Sequence, residues 1–181
     1  MGGTEFFTQI VATNQAESGH DVAVFAPAPY EKSSEPYLSL SVLERGVRIY
    51  RIPVGDRKRT QVFFHSFRQP WLRQSWRVVL DTEQPDLVHI EHLMGIPFSF
   101  IEDLGERNIP YVVTLHDYWY VCANAQLLTN TNLTLCNGPD TRAENCARCA
   151  LARAGFKSAA VAAPLFAPIM MGRNEQAASV L

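Results

Sequence analysis

The chain has 181 residues, of which 47% are hydrophobic, enough for a domain with a real core. Sixteen Lys and Arg against eighteen Asp and Glu leave a net charge of -2, which excludes the strong basic excess of a nucleic-acid-binding protein. No run is long and apolar enough to span a bilayer, and the start lacks the regions of a secretory signal, so the sequence points to the cytoplasm, where thiols stay reduced.

Met1-Gly2-Gly3-Thr4-Glu5 opens the chain. Phe7, Ile10, Val11 and Asn14 fall on one helical face, which predicts a helix from Thr4 to about Ser18, capped by Thr4 and stopped at Gly19. Val22 to Ala26 reads as a short buried strand ended by Pro27 and Pro29, followed by a polar loop with Ser33, Ser34 and Pro36. Val47 to Val54 is a second strand. Arg57, Lys58 and Arg59 read as a solvated loop, or as a contact for an anionic acceptor or a membrane surface. Pro70 opens a helix with Leu72, Trp76, Val79 and Leu80 facing inward. Leu87 to Glu91 is a third strand, and Gly95 and Pro97 start a helix with Phe100, Ile101 and Leu104 inside. Ile109-Pro110 leads into the apolar strand that ends at His116-Asp117. The tail from Ala150 to Leu181 reads as mostly helical, interrupted by Pro164 and Pro168. Helices between the later strands indicate an α/β fold, a parallel sheet with helices on both faces.

An apolar strand that stops at a polar pair delivers side chains to a crevice at the carboxyl edge of such a sheet. That makes His116 the first candidate for chemistry, with Asp117 holding the loop geometry. Tyr118, Trp119 and Tyr120 offer flat faces, either for stacking a ligand or for packing. His92, beside Glu91, reaches the same edge and is a candidate for lining the crevice, whereas His89 reads as a core histidine and His20 as structural; His65 has no context that speaks for a role. Gly2 and Gly3 let the backbone approach a diphosphate at a helix N-terminus, or form a flexible start. Cys146-Ala-Arg-Cys149 offers two thiolates from one turn, and Cys122 and Cys136 complete a four-sulfur set suited to structural Zn²⁺. Arg142 and Arg148 would offset its surplus negative charge. Disulfides, free thiols and an iron–sulfur cluster remain open with the same four residues.

Gly2-Gly3-Thr4-Glu5, Gly19-His20-Asp21-Val22, Pro85-Asp86-Leu87-Val88-His89 and Val113-Thr114-Leu115-His116-Asp117-Tyr118-Trp119 occur in this order at domain-like spacing. The ordered set resembles the N-terminal domain of family four glycosyltransferases, whose GT-B architecture sets two Rossmann-like domains across a cleft. The cysteine-bearing run looks like that of one branch of the family. The resemblance implies a Rossmann-like domain over residues 1–155, with the cysteine loop 122–149 inserted, and a helical tail over 156–181 that starts the connection to a second domain. It implies retaining transfer from a nucleotide-sugar donor to a sugar, lipid-linked or polysaccharide acceptor, with His116 near the reacting sugar, Gly2 and Gly3 at the donor diphosphate, and His92, Asp117 and Tyr118 on the substrate side. It places the protein in the cytoplasm or peripherally at the inner face of the membrane.

Two departures accompany the match. The family's central first strand, which precedes the Gly-Gly loop, and its C-terminal domain both lie outside this sequence, so the expectation is a fragment with two unpaired sheet edges, inactive alone. Glu83 and Glu91 share the spacing of the family's paired-glutamate motif by chance, one at a helix end and the other in a strand. The rival readings are a non-catalytic zinc-loop binding module and, more weakly, another Rossmann-like enzyme such as an epimerase; no Gly-x-Gly-x-x-Gly follows a strand.

Overall fold

The computed structural model describes residues 2–29, 39–42, 46–54, 70–122 and 124–179. The loop residues Ser33, Ser34 and Pro36, the basic run Arg57, Lys58, Arg59, and His65 lie outside them. The chain divides into two compact units, Met1–Thr114 and Leu115–Leu181.

The first unit runs α1 (Gly3–Glu17), β1 (Ala23–Pro29), β2 (Ser39–Val42), β3 (Arg48–Val54), α2 (Pro70–Glu83), β4 (Val88–Ile90), α3 (Ser99–Glu106) and β5 (Tyr111–Val113). Its strands make two sheets, one in the order β1-β3-β2 and one pairing β4 with β5. The β1–β3 and β4–β5 pairs are parallel, as the alternating pattern requires, but β2 is antiparallel to β3. Strands β1 and β4 thus stand in separate sheets.

Strand β1 does not end at Pro27 but continues through Pro29. The carbonyl of Val22 accepts from the Arg48 N–H at 3.0 Å, so even-numbered residues of β1 bond to β3 and odd-numbered ones face away. Both prolines are odd-numbered, and their missing N–H groups fall on the edge away from β3, where they cost no ladder bond.

Helices cover both faces of the β1-β3-β2 sheet. Ala12 of α1 packs with Val47 and Ile49, with Ala16, Val22 and Val24 around them. The expected inner face of α1 is therefore corrected: Phe7 and Ile10 are exposed and the small Ala12 is the buried contact, because small side chains let a helix lie close to a sheet. On the other face Phe25 of β1 meets Trp76 of α2 edge-on at 5.4 Å and Phe100 of α3 at 5.7 Å, and those two rings stack at 5.0 Å. Helix α2 buries the four residues its periodicity named, Leu72, Trp76, Val79 and Leu80. Helix α3 starts at Ser99, and its buried face carries Asp103 beside Phe100 and Leu104.

Guanidinium–carboxylate clamps tie these layers together. Asp103 is 0% exposed and takes hydrogen bonds from Arg73 (2.8 Å) and Arg77 (2.6 Å) of α2. Glu83, at the end of α2, accepts from Arg48 at 2.5 Å and from the Tyr50 hydroxyl, and Arg48 also reaches Asp21 at 2.6 Å. Glu83 therefore serves the fold.

The second unit contains α4 (Glu144–Arg153) and α5 (Ala159–Ala178), packed on each other. Before α4 the chain makes a bridge between Leu128 and Leu135, closed by Thr129 N–H to the Thr134 carbonyl at 2.9 Å and Cys136 N–H to the Leu127 carbonyl at 2.7 Å. Helix α5 runs through Pro164 and Pro168, which corrects the expected interruption. The two prolines lie one turn apart on an exposed side, while Ala159, Ala163, Ala167 and Met170 form the buried stripe. The lost backbone bonds thus fall where water can replace them.

Candidate functional site

In the first unit Gly2 is the extended N-cap of α1, with no side-chain cap bond. This displaces the expected cap: Thr4 lies inside the first turn, where its carbonyl accepts from the Thr8 hydroxyl at 2.9 Å. A Cβ on Gly3 would meet nothing within 4 Å, and one on Gly2 would meet only the flexible end of Glu5. Packing among the described residues does not demand either glycine. The first N–H groups of an α-helix lack intrahelical acceptors and carry the positive end of its dipole.

The short strand β4 carries His89, and Glu91 follows just beyond its end. His89 Nε2 bonds the Thr114 hydroxyl at 2.7 Å, and its Nδ1 lies 3.5 Å from Glu91. His89 is thereby a satisfied structural histidine. His92 is half-buried and its Nδ1 accepts from the Met94 N–H at 2.9 Å, which puts the proton of the neutral ring on Nε2.

In the second unit His116 is half-buried, beyond the end of β5. The strand before it stops at Val113, and Val112 is 47% exposed, so β5 is shorter and less buried than its apolar run suggests. Asp117 accepts the Trp119 N–H at 2.7 Å, an Asx turn that sets the loop geometry. Tyr118 turns its ring outward at 54% exposure. Trp119 and Tyr120 are buried and meet edge-on at 5.3 Å. Burial, and then the charge of Asp117, push the Tyr120 phenol up to about 12.

Helix α4 carries Cys146 and Cys149 three residues apart, hence on one face. Sequence reasoning read this stretch as loop; its Gly138-Pro139-Asp140 turn signals hid the helix behind them. All four thiols are half-buried and unpaired by disulfides. The Cys149 sulfur accepts from the Asn130 N–H and from its side-chain amide, each at 3.3 Å. Burial first, then the nearby charges of Cys136, Cys122 and Cys149, raise the Cys146 thiol to about 11, and a hydrogen bond with Asn174 opposes them. As they stand, no three His, Cys, Asp or Glu side chains among the described residues are grouped to hold a metal ion.

Arg142 and Arg148 are exposed, and Arg142 faces Glu144 at 3.8 Å. The buried cation is instead Arg173 of α5, at 3% exposure. Its Nη2 donates to the Trp119 carbonyl at 2.5 Å, and its guanidinium carbon lies 5.0 Å from the centre of the Trp119 ring. The signal for it was available: Arg173 continues the spacing of Ala159, Ala163, Ala167 and Met170 that marks the buried side of α5.

Among the described residues no helix is long and apolar enough to cross a membrane. No curated protein sequence and no solved structure matches the chain significantly. Residues 2–160 match the glycosyl transferase 4-like domain, and the chain belongs to that family: it is an N-terminal domain of a family four GT-B glycosyltransferase, with a Rossmann-like α/β fold.

Proposed function

We propose that this chain is the acceptor-side half of a retaining transferase that takes a sugar from a nucleotide-sugar donor. Its acceptor is a sugar, a lipid-linked sugar or a polysaccharide. What carries the reading is family membership across the stretch that holds Gly2, Gly3, His92 and His116.

The roles follow from the side chains. The bare start of α1 at Gly2 and Gly3 receives the donor diphosphate, whose charge suits the helix N-terminus. The His116 imidazole bonds a sugar hydroxyl and stabilises charge that develops at the reacting carbon. His92 donates from Nε2 toward the acceptor, and the exposed Tyr118 ring offers a stacking face held by the Asp117 turn. Most donor contacts in this two-domain architecture come from the second domain, so transfer requires both domains together. A cytoplasmic location with peripheral contact at the inner face of the membrane, and a structural Zn²⁺ on Cys122, Cys136, Cys146 and Cys149, belong to the same reading.

The test is transfer from a panel of labelled nucleotide sugars by the chain alone and by the chain joined to a C-terminal domain of the family. Transfer is expected only in the joined form. There His116→Ala should lower turnover roughly 10²–10³-fold, as loss of a transition-state donor does, with KM little changed. Undiminished turnover in that variant removes His116 from the chemistry. No transfer by the joined form from any donor removes the reading.

A further inference from the structure

From Ala159 to Gly172, helix α5 carries no side chain with a nitrogen or oxygen atom. One of its faces, marked by Ala159, Ala163, Ala167 and Met170, is buried, and α5 packs on α4. On the opposite side Val161, Leu165 and Pro168 recur at the i, i+4, i+7 spacing of a single helical face, with Val161 81% and Leu165 80% exposed. A helix that is apolar all round needs cover on both sides. The outer stripe has none among the described residues.

Charge indicates what the cover is. The whole chain has a net charge of -2, yet residues 145–174 hold Arg148, Arg153, Lys157 and Arg173 and no Asp or Glu. Arg173 is buried, and the other three are exposed. Arg153 ends α4, and Lys157 lies in the turn into α5 next to the exposed Phe156. Cations therefore stand at the end of the helix pair where the bare stripe begins, and the first acid after the stripe is Glu175. An anionic lipid surface takes this combination: apolar side chains enter the acyl boundary while Lys and Arg meet the headgroups. A protein partner would call for about one hydrogen bond per 100–200 Å² of interface, and the stripe has no side chain to make them. The prolines set the depth. Pro164 and Pro168 leave the Ala160 and Pro164 carbonyls without their helical N–H donors, so this face must stay at headgroup level, where water reaches it. The apolar stretch rises only about 21 Å, short of a bilayer core of about 30 Å. We propose that the outer face of α5, with Arg153, Phe156 and Lys157 at its start, is a docking surface for an anionic lipid bilayer, on which the helix lies without crossing. The proposal rests on the peripheral membrane contact named above and locates it, and vesicle binding is measured without any sugar transfer.

The test is flotation of the full chain with vesicles of phosphatidylcholine alone and of phosphatidylcholine with an equal part of phosphatidylglycerol. Wild type is expected to bind the anionic vesicles at least about tenfold more tightly than the neutral ones, since each cation near the surface contributes about fivefold. Leu165→Glu and Val161→Glu should each weaken binding to anionic vesicles about tenfold or more, through lost burial and repulsion of like charge. Lys157→Gln should weaken it about fivefold and leave binding to neutral vesicles unchanged. Far-UV circular dichroism checks folding, and Leu165→Ser replaces either Glu variant that does not fold. No vesicle binding by the wild type overturns the proposal together with the membrane contact. Undiminished binding by the substituted chains leaves the contact standing and overturns α5 as its surface. Light scattering that finds a wild-type dimer, turned into monomer by Leu165→Glu and Val161→Glu, would assign the stripe to a second copy. Loss of vesicle binding when the chain is joined to a C-terminal domain of the family would assign it to that domain. Either result overturns the proposal.

Discussion

The two units handle buried charge in opposite ways. In the first, Asp103 is sealed from water but gripped by Arg73 and Arg77, and Glu83 is held by Arg48 and Tyr50. In the second, the most deeply buried charge is Arg173, and no carboxylate among the described residues answers it. Backbone strain differs too. Ala125, Leu127, Leu133 and Ala143 of the second unit adopt positive φ, against Gln84 and Asn108 in the longer first unit, a conformation that costs about 1–2 kcal/mol for most residues other than glycine and less for Asn. The first unit balances its charges with its own side chains. The second buries a guanidinium whose printed partners are a backbone carbonyl, a side-chain amide and an indole ring.

The largest effect that would break this contrast is at Asp103. Burial alone pushes its carboxyl up, but the hydrogen bonds from Arg73 and Arg77 more than offset this and leave it below the usual carboxylate range. Asp103→Ala removes the acceptor shared by both arginines. The expected loss is about 3 kcal/mol, the low end for breaking a buried pair, because Arg73 and Arg77 are partly exposed and can turn to water. Urea unfolding read from the Trp76 environment measures it. A loss below about 0.5 kcal/mol, the scale of an ordinary surface change, would show that the clamp does not hold α2 to α3.

A smaller effect sharpens the same point at Glu83. The hydrogen bond from Arg48 holds its carboxyl below the ordinary range; burial opposes this and Tyr50 adds to it. A depressed folded pKa gives stability that is fully present above the unfolded value, about 4.3, and is lost as pH falls through the folded value. Glu83→Gln should therefore cost about 1–3 kcal/mol at pH 7, and the gap to wild type should narrow below about pH 4. Urea midpoints at pH 7 and pH 3 test this; an equal gap at both would assign the effect to packing.

How much of this could be read from the residues varied with the element. Helix α2 was legible in full, because a Pro start and a clear 3.6-residue apolar period leave one orientation. In α1 the period was present but the large apolar residues misled, since close packing on the sheet selected Ala12. Strand β2 was missed although Leu38, Leu40 and Val42 alternate with serines, because the loop signals before it dominated. The cysteines were legible as a set and their helix was not, for Asp140 and Gly138 read as turn. Family membership was carried by ordered short motifs, each weak alone. Arg173 was overlooked because a charged residue in a tail is read as solvated until the alanine spacing around it is followed to its end.

The smallest effect lies at the entry to α4 and tests whether the order of the second unit is local. The residue preceding the helix, Ala143, has φ 55 and provides no side-chain cap. Asp140 does the capping from three residues upstream, taking the N–H groups of Glu144 at 2.9 Å, Asn145 at 3.0 Å and Arg142 at 3.2 Å. Burial raises its carboxyl, but these backbone donors outweigh that and bring it below the ordinary range. The sign follows as for Glu83: the contribution is present above an unfolded pKa of about 3.9 and fades as pH falls through the folded one. Asp140→Ala should cost about 0.5–1 kcal/mol, the low end for a cap because the site is exposed. Amide hydrogen exchange at pH 7 should then quicken at Glu144, Asn145 and Cys146, positioning the thiols less firmly, while the amides of β3 keep their wild-type protection. Equal acceleration in β3 would mean that the cap serves the whole chain, and the contrast between a charge-balanced first unit and a separately ordered second one would fail.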